Sequence, residues 1–95
     1  MKKNKHWQVY IIQTKTGKLY TGITTDINRR LSEHKNKKGA KYFRFENPQE
    51  VVFLEGCKNR QEASKREHEI KRFSRNEKLK KIRAKQTDKK LKTNI

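Results

Sequence analysis

Two short segments rich in aromatic and β-branched residues constrain the fold more than any other feature of this chain. Residues 7–13 (WQVYIIQ) and 19–24 (LYTGIT) flank a polar stretch that contains a single glycine. This pattern is typical of a β-hairpin, in which Gly17 takes the positive φ angle of a three-residue loop, Lys15–Gly17. We therefore expect two antiparallel strands in this part of the chain.

The number of residues in the loop decides which side chains share a face of the hairpin. With three, Tyr10 lies opposite Gly22 and Ile12 lies opposite Tyr20. Side chains alternate along a strand, so these four residues share one face. The other face then carries Trp7, Val9, Ile11, Leu19 and Ile23. A glycine within a strand often marks the close approach of a ligand or another backbone, so Gly22 points to a site beside the two tyrosines.

A helix and a further strand are expected after the hairpin. Thr25 or Asp26 can cap the helix, which runs to about Lys37 and is ended by Gly39. The β-branched and aromatic segment Glu50–Gly56 predicts the third strand.

Two capping signals predict two more helices. Asn59 with Glu62 begins the first, and Ser74 with Glu77 begins the second, over residues 75–85. The element order ββαβαα predicts an α+β fold, in which helices flank a small three-stranded antiparallel sheet.

Length and composition indicate one small domain. The chain has 95 residues, of which 29% are hydrophobic, so the core is small. We divide the chain into a basic N-terminal extension (1–6), one domain (7–85) and a basic, frayed C-terminal tail (86–95).

The charge of the chain points to nucleic acid. There are 27 basic and 10 acidic residues, giving a formal net charge of +17; such a chain binds phosphates by releasing their counterions. The alternative is a merely soluble basic protein. Cys57 is the single cysteine and is expected to be inert, which excludes a multi-cysteine zinc site. No apolar run is long enough to span a bilayer, so we expect no membrane partner and a cytoplasmic location.

Polar residues interrupt the apolar faces of two predicted helices. Arg30 and His34 lie on one helical stripe with Ile27 and Leu31. A guanidinium there requires an anionic partner or must extend along the edge of the core to reach water. Glu67 likewise shares a face with Ala63 and Ile70. It can form a salt bridge, for example with Arg30, or hold a metal ion.

These residues, taken in order, resemble a known family. Val9–Ile11 and Tyr20–Gly22, followed by Arg30 and His34, are similar to the GIY-YIG nuclease domain, over about residues 7–75. Small stand-alone bacterial members share stretches like Gly39–Tyr42. The first signature lacks the Gly and Ile that name the family, and the second has Thr21 in place of Ile.

The resemblance implies metal-dependent hydrolysis of a phosphodiester. Glu67 would hold one divalent ion, Mg²⁺ or Mn²⁺, and Arg30 would clamp a phosphate oxygen. Tyr20 is favoured as the general base, with Tyr10 orienting the water or the phosphate, and nearby cations are expected to lower the pKa of the phenol. His34 would hydrogen-bond a tyrosine or relay a proton.

A wider surface is expected to contact the nucleic acid. The residues assigned to this surface are Lys41, Tyr42, Arg44, Lys71, Arg75 and Lys78. Phe43 and Phe45 alternate with three of these residues, which suits stacking on an unpaired base, unless both rings pack in the core.

Three functions remain open from the sequence. We predict a Mg²⁺-dependent DNA endonuclease or nickase, with a protein partner possible for targeting. The alternatives are a non-catalytic nucleic-acid-binding module on the same fold and a small basic RNA-binding protein.

Overall fold

The fold is a three-stranded antiparallel sheet with helices on both faces, as the sequence predicts. The computed structural model describes the backbone of residues 6–93 and the side chains as far as residue 85. Its elements are β1 (Trp7–Thr14), β2 (Leu19–Thr24), α1 (Ile27–Lys35), a 3₁₀ turn (Lys41–Arg44), β3 (Pro48–Cys57), α2 (Arg60–Lys71) and α3 (Arg75–Thr93).

The hairpin has the expected register. Gly17 takes a φ of 90° in the loop, Tyr10 pairs with Gly22 and Ile12 pairs with Tyr20. The strand order is β2-β1-β3, so β1 is the central strand and β2 and β3 form the two edges. The parity of the loop therefore places both tyrosines on the same face of the sheet.

The two faces of the sheet bury different kinds of residue. We call one the aliphatic face; it packs under α2 and α3, and its buried residues are Val9, Ile11, Phe53, Cys57, Ala63, Ile70 and Ile82. We call the other the aromatic face; it packs under α1 and the 3₁₀ turn, and it contains Tyr10, Ile12, Tyr20, His34, Tyr42 and Phe43. Tyr10, Tyr20 and His34 of the candidate site lie on the aromatic face, whereas Glu67 comes from α2.

The first helix ends earlier than the sequence suggests. Asp26 caps its start by accepting a hydrogen bond from the backbone N–H of Arg29, but α1 ends at Lys35 and not near residue 37. Lys37, not Gly39, takes the left-handed conformation, with a φ of 64°. Its ammonium group donates to Asn47 Oδ1 at 2.7 Å, which offsets part of the strain of a non-glycine residue there.

The starts of the last two helices are as predicted. Asn59 Oδ1 accepts from the N–H of Glu62 at 2.8 Å. At α3 the exchange is reciprocal, because Ser74 N–H donates to Glu77 Oε1 at 2.8 Å and Glu77 N–H donates to Ser74 Oγ at 3.2 Å. These bonds satisfy N–H groups that the first turn of a helix leaves unpaired.

The end of the third helix differs from the prediction. α3 continues to Thr93, so residues 86–93, expected to belong to a frayed tail, are helical. Neither glycine nor proline occurs within α3 to stop it, and its lysines, leucines and alanine favour a helix. Residues 94–95 of the expected tail and 1–5 of the expected extension lie outside the described residues. Within the described part, no helix combines the length and the apolar character needed to cross a membrane.

Candidate active site

Tyr10 lies at the centre of the aromatic face and is only 1% exposed. Its ring crosses the backbone of Gly22, its partner on β2. A Cβ atom at Gly22 would lie 2.5 Å from the Tyr10 hydroxyl oxygen and 2.7 Å from Cζ, closer than real side chains approach. The close approach expected at Gly22 is therefore that of Tyr10 itself.

His34 is fully buried and fixed through both ring nitrogens. The backbone N–H of Ala40 donates to Nδ1 at 3.3 Å, and Nε2 lies 3.0 Å from the Tyr10 hydroxyl. Because Nδ1 is the acceptor, Nε2 carries the proton and donates to Tyr10. Gly39 has no side chain that would collide with the imidazole, which explains the glycine at that position.

Burial, with a smaller contribution from the positive charge of Arg30, lowers the pKa of His34 to about 4. The imidazole is therefore neutral at physiological pH. Of the two roles considered for His34, the hydrogen bond to a tyrosine is present. A proton relay would require Nδ1 to give up its bond to Ala40.

Charged groups from two helices act on the Tyr10 hydroxyl. The pKa of this hydroxyl is raised to about 12: burial is the largest cause, the nearby guanidinium of Arg30 lowers the pKa, and Tyr20 and Glu67 raise it. Arg30 acts on the phenol in the direction expected of a cation, but at Tyr10 desolvation outweighs it and the net shift of the pKa is upward. α1 and α2 nevertheless both bring a charged side chain close to this one hydroxyl.

Arg30 has an anionic partner on its own helix. Its Nη1 donates to Glu33 Oε1 at 2.9 Å, one turn along α1. Burial opposes the charged form of Arg30, but the bond to Glu33 and the contact with Tyr10 leave its pKa raised. Arg30 is one third exposed, so it combines the two environments that the sequence left open, an ion pair and access to water.

Glu67 forms a salt bridge with Lys71 and not with Arg30, the cation considered from the sequence. Its Oε2 lies 3.2 Å from Lys71 Nζ, and its side chain is 18% exposed. The alternative ion pair between Glu67 and Arg30 is absent among the described side chains, because each finds a partner on its own helix.

The donor set around Glu67 fits only one kind of metal site. Residues 6–85 contain no group of three or more His, Cys, Asp or Glu side chains that could enclose an ion. Mg²⁺ is commonly held by one or two carboxylates, with water and substrate phosphates as the other ligands. The single partly buried carboxylate of Glu67 fits that pattern.

Tyr20 links the buried residues to the surface. Its ring centroid lies 6.3 Å from that of Tyr10 and 5.7 Å from that of His34. Phe43 packs edge-on against Tyr20 at 4.9 Å, and Tyr42 stacks on it at 5.2 Å with 28° between the planes. Tyr20 is half-buried, so it is the tyrosine that a substrate can reach.

The residues assigned to nucleic acid fall into separate groups. Lys41 and Arg44 are exposed on the 3₁₀ turn, and Lys71 is bonded to Glu67. Tyr42, Arg75 and Lys78 line one cleft together with Lys18 and Leu19.

The two phenylalanines of the same segment are divided. Phe43 is fully buried, whereas Phe45 is 90% exposed, so only one of the two rings packs in the core.

Lys18 is a candidate residue that the sequence pattern did not single out. Its ammonium group lies 3.1 Å from Glu46, a carboxylate from the loop before β3. The sequence carried no direct signal for it, because Lys18 lies in the loop just before β2.

Comparison with known proteins identifies the family. Residues 6–82 match the family model described as the GIY-YIG catalytic domain. A UPF0213 protein of Desulfotalea psychrophila is 54% identical over 69 residues, which cover 72% of this chain and 63% of that protein. A UPF0213 protein of Staphylococcus saprophyticus is 47% identical over 79 residues, which cover 83% of this chain and 95% of that protein.

A solved structure agrees with the fold. The solution NMR structure of the UPF0213 protein BH0048 from Bacillus halodurans superposes with a TM-score of 0.51 at 40% identity, covering 79% of this chain and 80% of the other. The sequence resemblance, the family match and the shared fold lead to the same conclusion. The chain belongs to the GIY-YIG family of nuclease-type catalytic domains.

Proposed function

We propose that this protein is a metal-dependent endonuclease that hydrolyses a phosphodiester bond of nucleic acid, with DNA as the favoured substrate. The family supplies the class of reaction. The observation that carries the proposal is that the Tyr10 ring lies 6.3 Å from the Tyr20 ring and that its hydroxyl feels the charges of both Arg30 and Glu67. Tyr20, Arg30 and Glu67 come from three different elements, and each is of a type that phosphoryl transfer uses.

Tyr20 acts as the general base in this proposal. It takes a proton from the attacking water while the bond between phosphorus and the leaving oxygen breaks. Its half-buried ring can meet both the solvent and the substrate. Tyr10 does not suit that task, because it is inaccessible and its pKa of about 12 keeps it protonated.

Arg30 stabilises the charge that develops on the phosphate oxygens. Its guanidinium can donate two parallel hydrogen bonds to such a group, and Glu33 fixes the orientation of its side chain. Removing a single donor to a developing oxyanion typically reduces a rate by about 100- to 1,000-fold.

Tyr10 and His34 position the groups that contact the substrate. Ala40 fixes His34, His34 donates to Tyr10, and the Tyr10 hydroxyl lies beside Arg30. This series of contacts starts at the backbone N–H of Ala40, so it fixes the position of the Arg30 side chain relative to the main chain. The Ala40 amide, the neutral His34 and the Tyr10 hydroxyl are all uncharged, so none of them places a second positive charge near Arg30.

Glu67 is the residue proposed to hold Mg²⁺ or Mn²⁺. When bound, the ion would polarise the phosphoryl oxygen and stabilise the leaving oxygen. Lys71 neutralises the carboxylate in its absence. Once released from Glu67, Lys71 is free to contact a phosphate.

Supercoiled plasmid tests the proposal. We expect nicking with Mg²⁺ and none with EDTA, and we expect Arg30→Ala to slow nicking about 100- to 1,000-fold. The matched control is Arg29→Ala, which removes the adjacent, more exposed guanidinium that contacts the same Glu33. Its effect should be within about threefold, because an exposed ion pair contributes little.

Two further variants separate the functions. Glu67→Gln should abolish nicking and preserve salt-sensitive binding, whereas Glu69→Gln, on the same helix, should preserve both. Binding without nicking in any metal would instead identify a non-catalytic module. Tighter binding to RNA than to DNA, with no effect of Tyr20→Phe, would identify an RNA-binding protein. We also propose that a protein partner can direct this enzyme to its substrate and that the enzyme acts in the cytoplasm.

A further inference from the structure

A cleft of about 290 Å³ lies where the hairpin, the 3₁₀ turn and the start of α3 meet. Its lining residues are Lys18, Leu19, Tyr42, Arg75 and Lys78. We call it the Lys18 cleft. Ligand pockets range upward from roughly 300 Å³, so its size suits one small group and not an extended chain.

Tyr42 supplies the aromatic part of the cleft lining. Tyr42 stacks on Tyr20 at 5.2 Å, and Phe43 meets it edge-on at 5.2 Å. Tyr42 is nevertheless half-buried and lines the cleft. The part of Tyr42 that borders the cleft can contact a planar group, and a nucleic acid base is a planar group that stacks on tyrosine whatever its identity.

Another part of the cleft lining is cationic. Arg75 and Lys78 lie three residues apart at the start of α3, and neither forms a salt bridge with any described side chain. The first turn of a helix adds partial positive charge to this position. Lys18 contributes a third cation, which Glu46 partly neutralises at 3.1 Å. This part of the lining therefore favours an anion such as a phosphate.

Tyr42 joins the cleft to the candidate active site. The ring on which it stacks is Tyr20, the proposed base. A group bound in the cleft therefore lies one aromatic ring away from the reacting atoms.

We propose that the Lys18 cleft binds one unpaired nucleotide next to the bond that is cut, with its base on Tyr42 and its phosphate at Arg75 and Lys78. Its position next to the cut bond rests on the proposed function. A base inside a duplex is stacked and paired, and extracting it costs energy that an unpaired base does not require. The enzyme then prefers single-stranded, frayed or flapped ends over intact duplex.

Equilibrium binding tests the ligand without catalysis. The full chain carrying Glu67→Gln is titrated in EDTA with a fluorescein-labelled single strand and with a hairpin duplex, and anisotropy is recorded. Tyr42→Leu, which keeps an apolar contact with Tyr20, should weaken single-strand binding roughly 5- to 100-fold. It should change duplex binding by less than about threefold, whereas Tyr42→Phe should preserve both.

The phosphate contacts have a matched control on the same helix. Arg75→Gln with Lys78→Gln should reduce single-strand binding more than duplex binding. Lys80→Gln with Arg83→Gln removes the same charge at the same spacing outside the cleft, so it should weaken both substrates equally. An abasic nucleotide at one position of the strand should reproduce the effect of Tyr42→Leu, and cleavage mapping should place that position beside the cut bond.

Equal weakening of single strand and duplex by the Tyr42 and Arg75–Lys78 variants would overturn the proposal, and so would indifference to the abasic nucleotide. If the protein nicks plasmid with no preference for unpaired nucleotides, the proposed nuclease activity stands, but the proposal that the cleft binds an unpaired nucleotide is contradicted. If the protein prefers single strands but nicks nothing, the nuclease activity and the position of the cleft beside a cut bond are both contradicted. The assignment of an unpaired nucleotide as the ligand of the cleft then still stands.

Discussion

The two faces of the sheet use burial in different ways. On the aliphatic face, Val9 and Ile11 pack against Ala63 and Ile70 in one apolar cluster. On the aromatic face, the buried Tyr10 forms a hydrogen bond to an equally buried histidine. The first arrangement gains stability from apolar area alone. The second removes polar groups from water and must hydrogen-bond each of them.

The difference indicates a division of labour within a chain that has few apolar residues. The aliphatic face supplies the burial that holds the sheet to α2 and α3. The aromatic face uses its buried volume to orient Tyr10 and, through it, the charged groups around its hydroxyl. Changes on the aromatic face should therefore alter pH response and activity, and changes on the aliphatic face should alter stability alone.

The largest expected effect is on the pH dependence of stability. The pKa of His34 is about 4 in the folded protein against an ordinary value of 6.5, so between these values the unfolded chain binds a proton that the folded protein does not. The neutral histidine's contribution is complete above pH 6.5 and declines as the pH falls to 4, by about 3 kcal/mol in total. Urea unfolding at pH 7, 5.5 and 4 measures it.

His34→Gln is the control for this pH effect. The variant should be less stable at pH 7 but should lose less free energy of unfolding on acidification. If both proteins show the same decline, the proton responsible belongs to another group, and the aromatic face does not differ from the aliphatic face in this respect.

Two strand glycines give the next comparison. At Gly22 an added methyl group meets the Tyr10 ring, whereas at Gly56 it meets nothing within 4 Å. Gly22→Ala should destabilise the protein by about 1–3 kcal/mol through overpacking and should reduce nicking. Gly56→Ala should stay within about 0.5 kcal/mol. Thermal unfolding compares them, and equal shifts would show that strand conformation decides the cost and that contact with Tyr10 does not.

The smallest expected effect involves two threonines. Thr21 lies on the aliphatic face, and its hydroxyl is buried without a hydrogen-bond partner among the described residues. Thr21→Val should raise the free energy of unfolding by about 1 kcal/mol. Thr14 is also buried, but its hydroxyl accepts from the N–H of Lys18 at 3.0 Å, so Thr14→Val should lower the free energy of unfolding by a similar amount.

Opposite signs for the two threonine variants would support the contrast between a face held by apolar contact and a face held by hydrogen bonds. A loss of stability in both would mean that the hydroxyl of Thr21 has a partner in solution, and the contrast would then be weaker.

Features fixed by neighbouring residues were predictable from the sequence. The odd loop ending at Gly17 was sufficient to pair Tyr10 with Gly22. Asn59 and Ser74 started their helices because a capping bond spans only three residues. The end of α3 was not predictable in this way, because a basic tail and a helix of good helix formers look alike until a stop signal decides between them.

Features that depend on competing long-range terms were not predictable. The sign of the pKa shift at Tyr10 depends on whether burial or the charge of Arg30 is larger, and burial is known only once the helices pack. The pairing of Glu67 with Lys71 had a local signal, since a glutamate four residues before a lysine is a favourable helical pair. The Lys18 cleft had none, since three elements separated in sequence form it.

The position of β3 at an edge of the sheet has a practical consequence. Its ten residues leave one side of the backbone without a neighbouring strand, and an open strand edge invites pairing with another molecule. The net charge of +17 keeps two copies apart at low ionic strength, where electrostatic repulsion reaches about 30 Å. Concentrated salt shortens that range to about 3 Å, so we expect a high-salt purification step to let copies come together and precipitate.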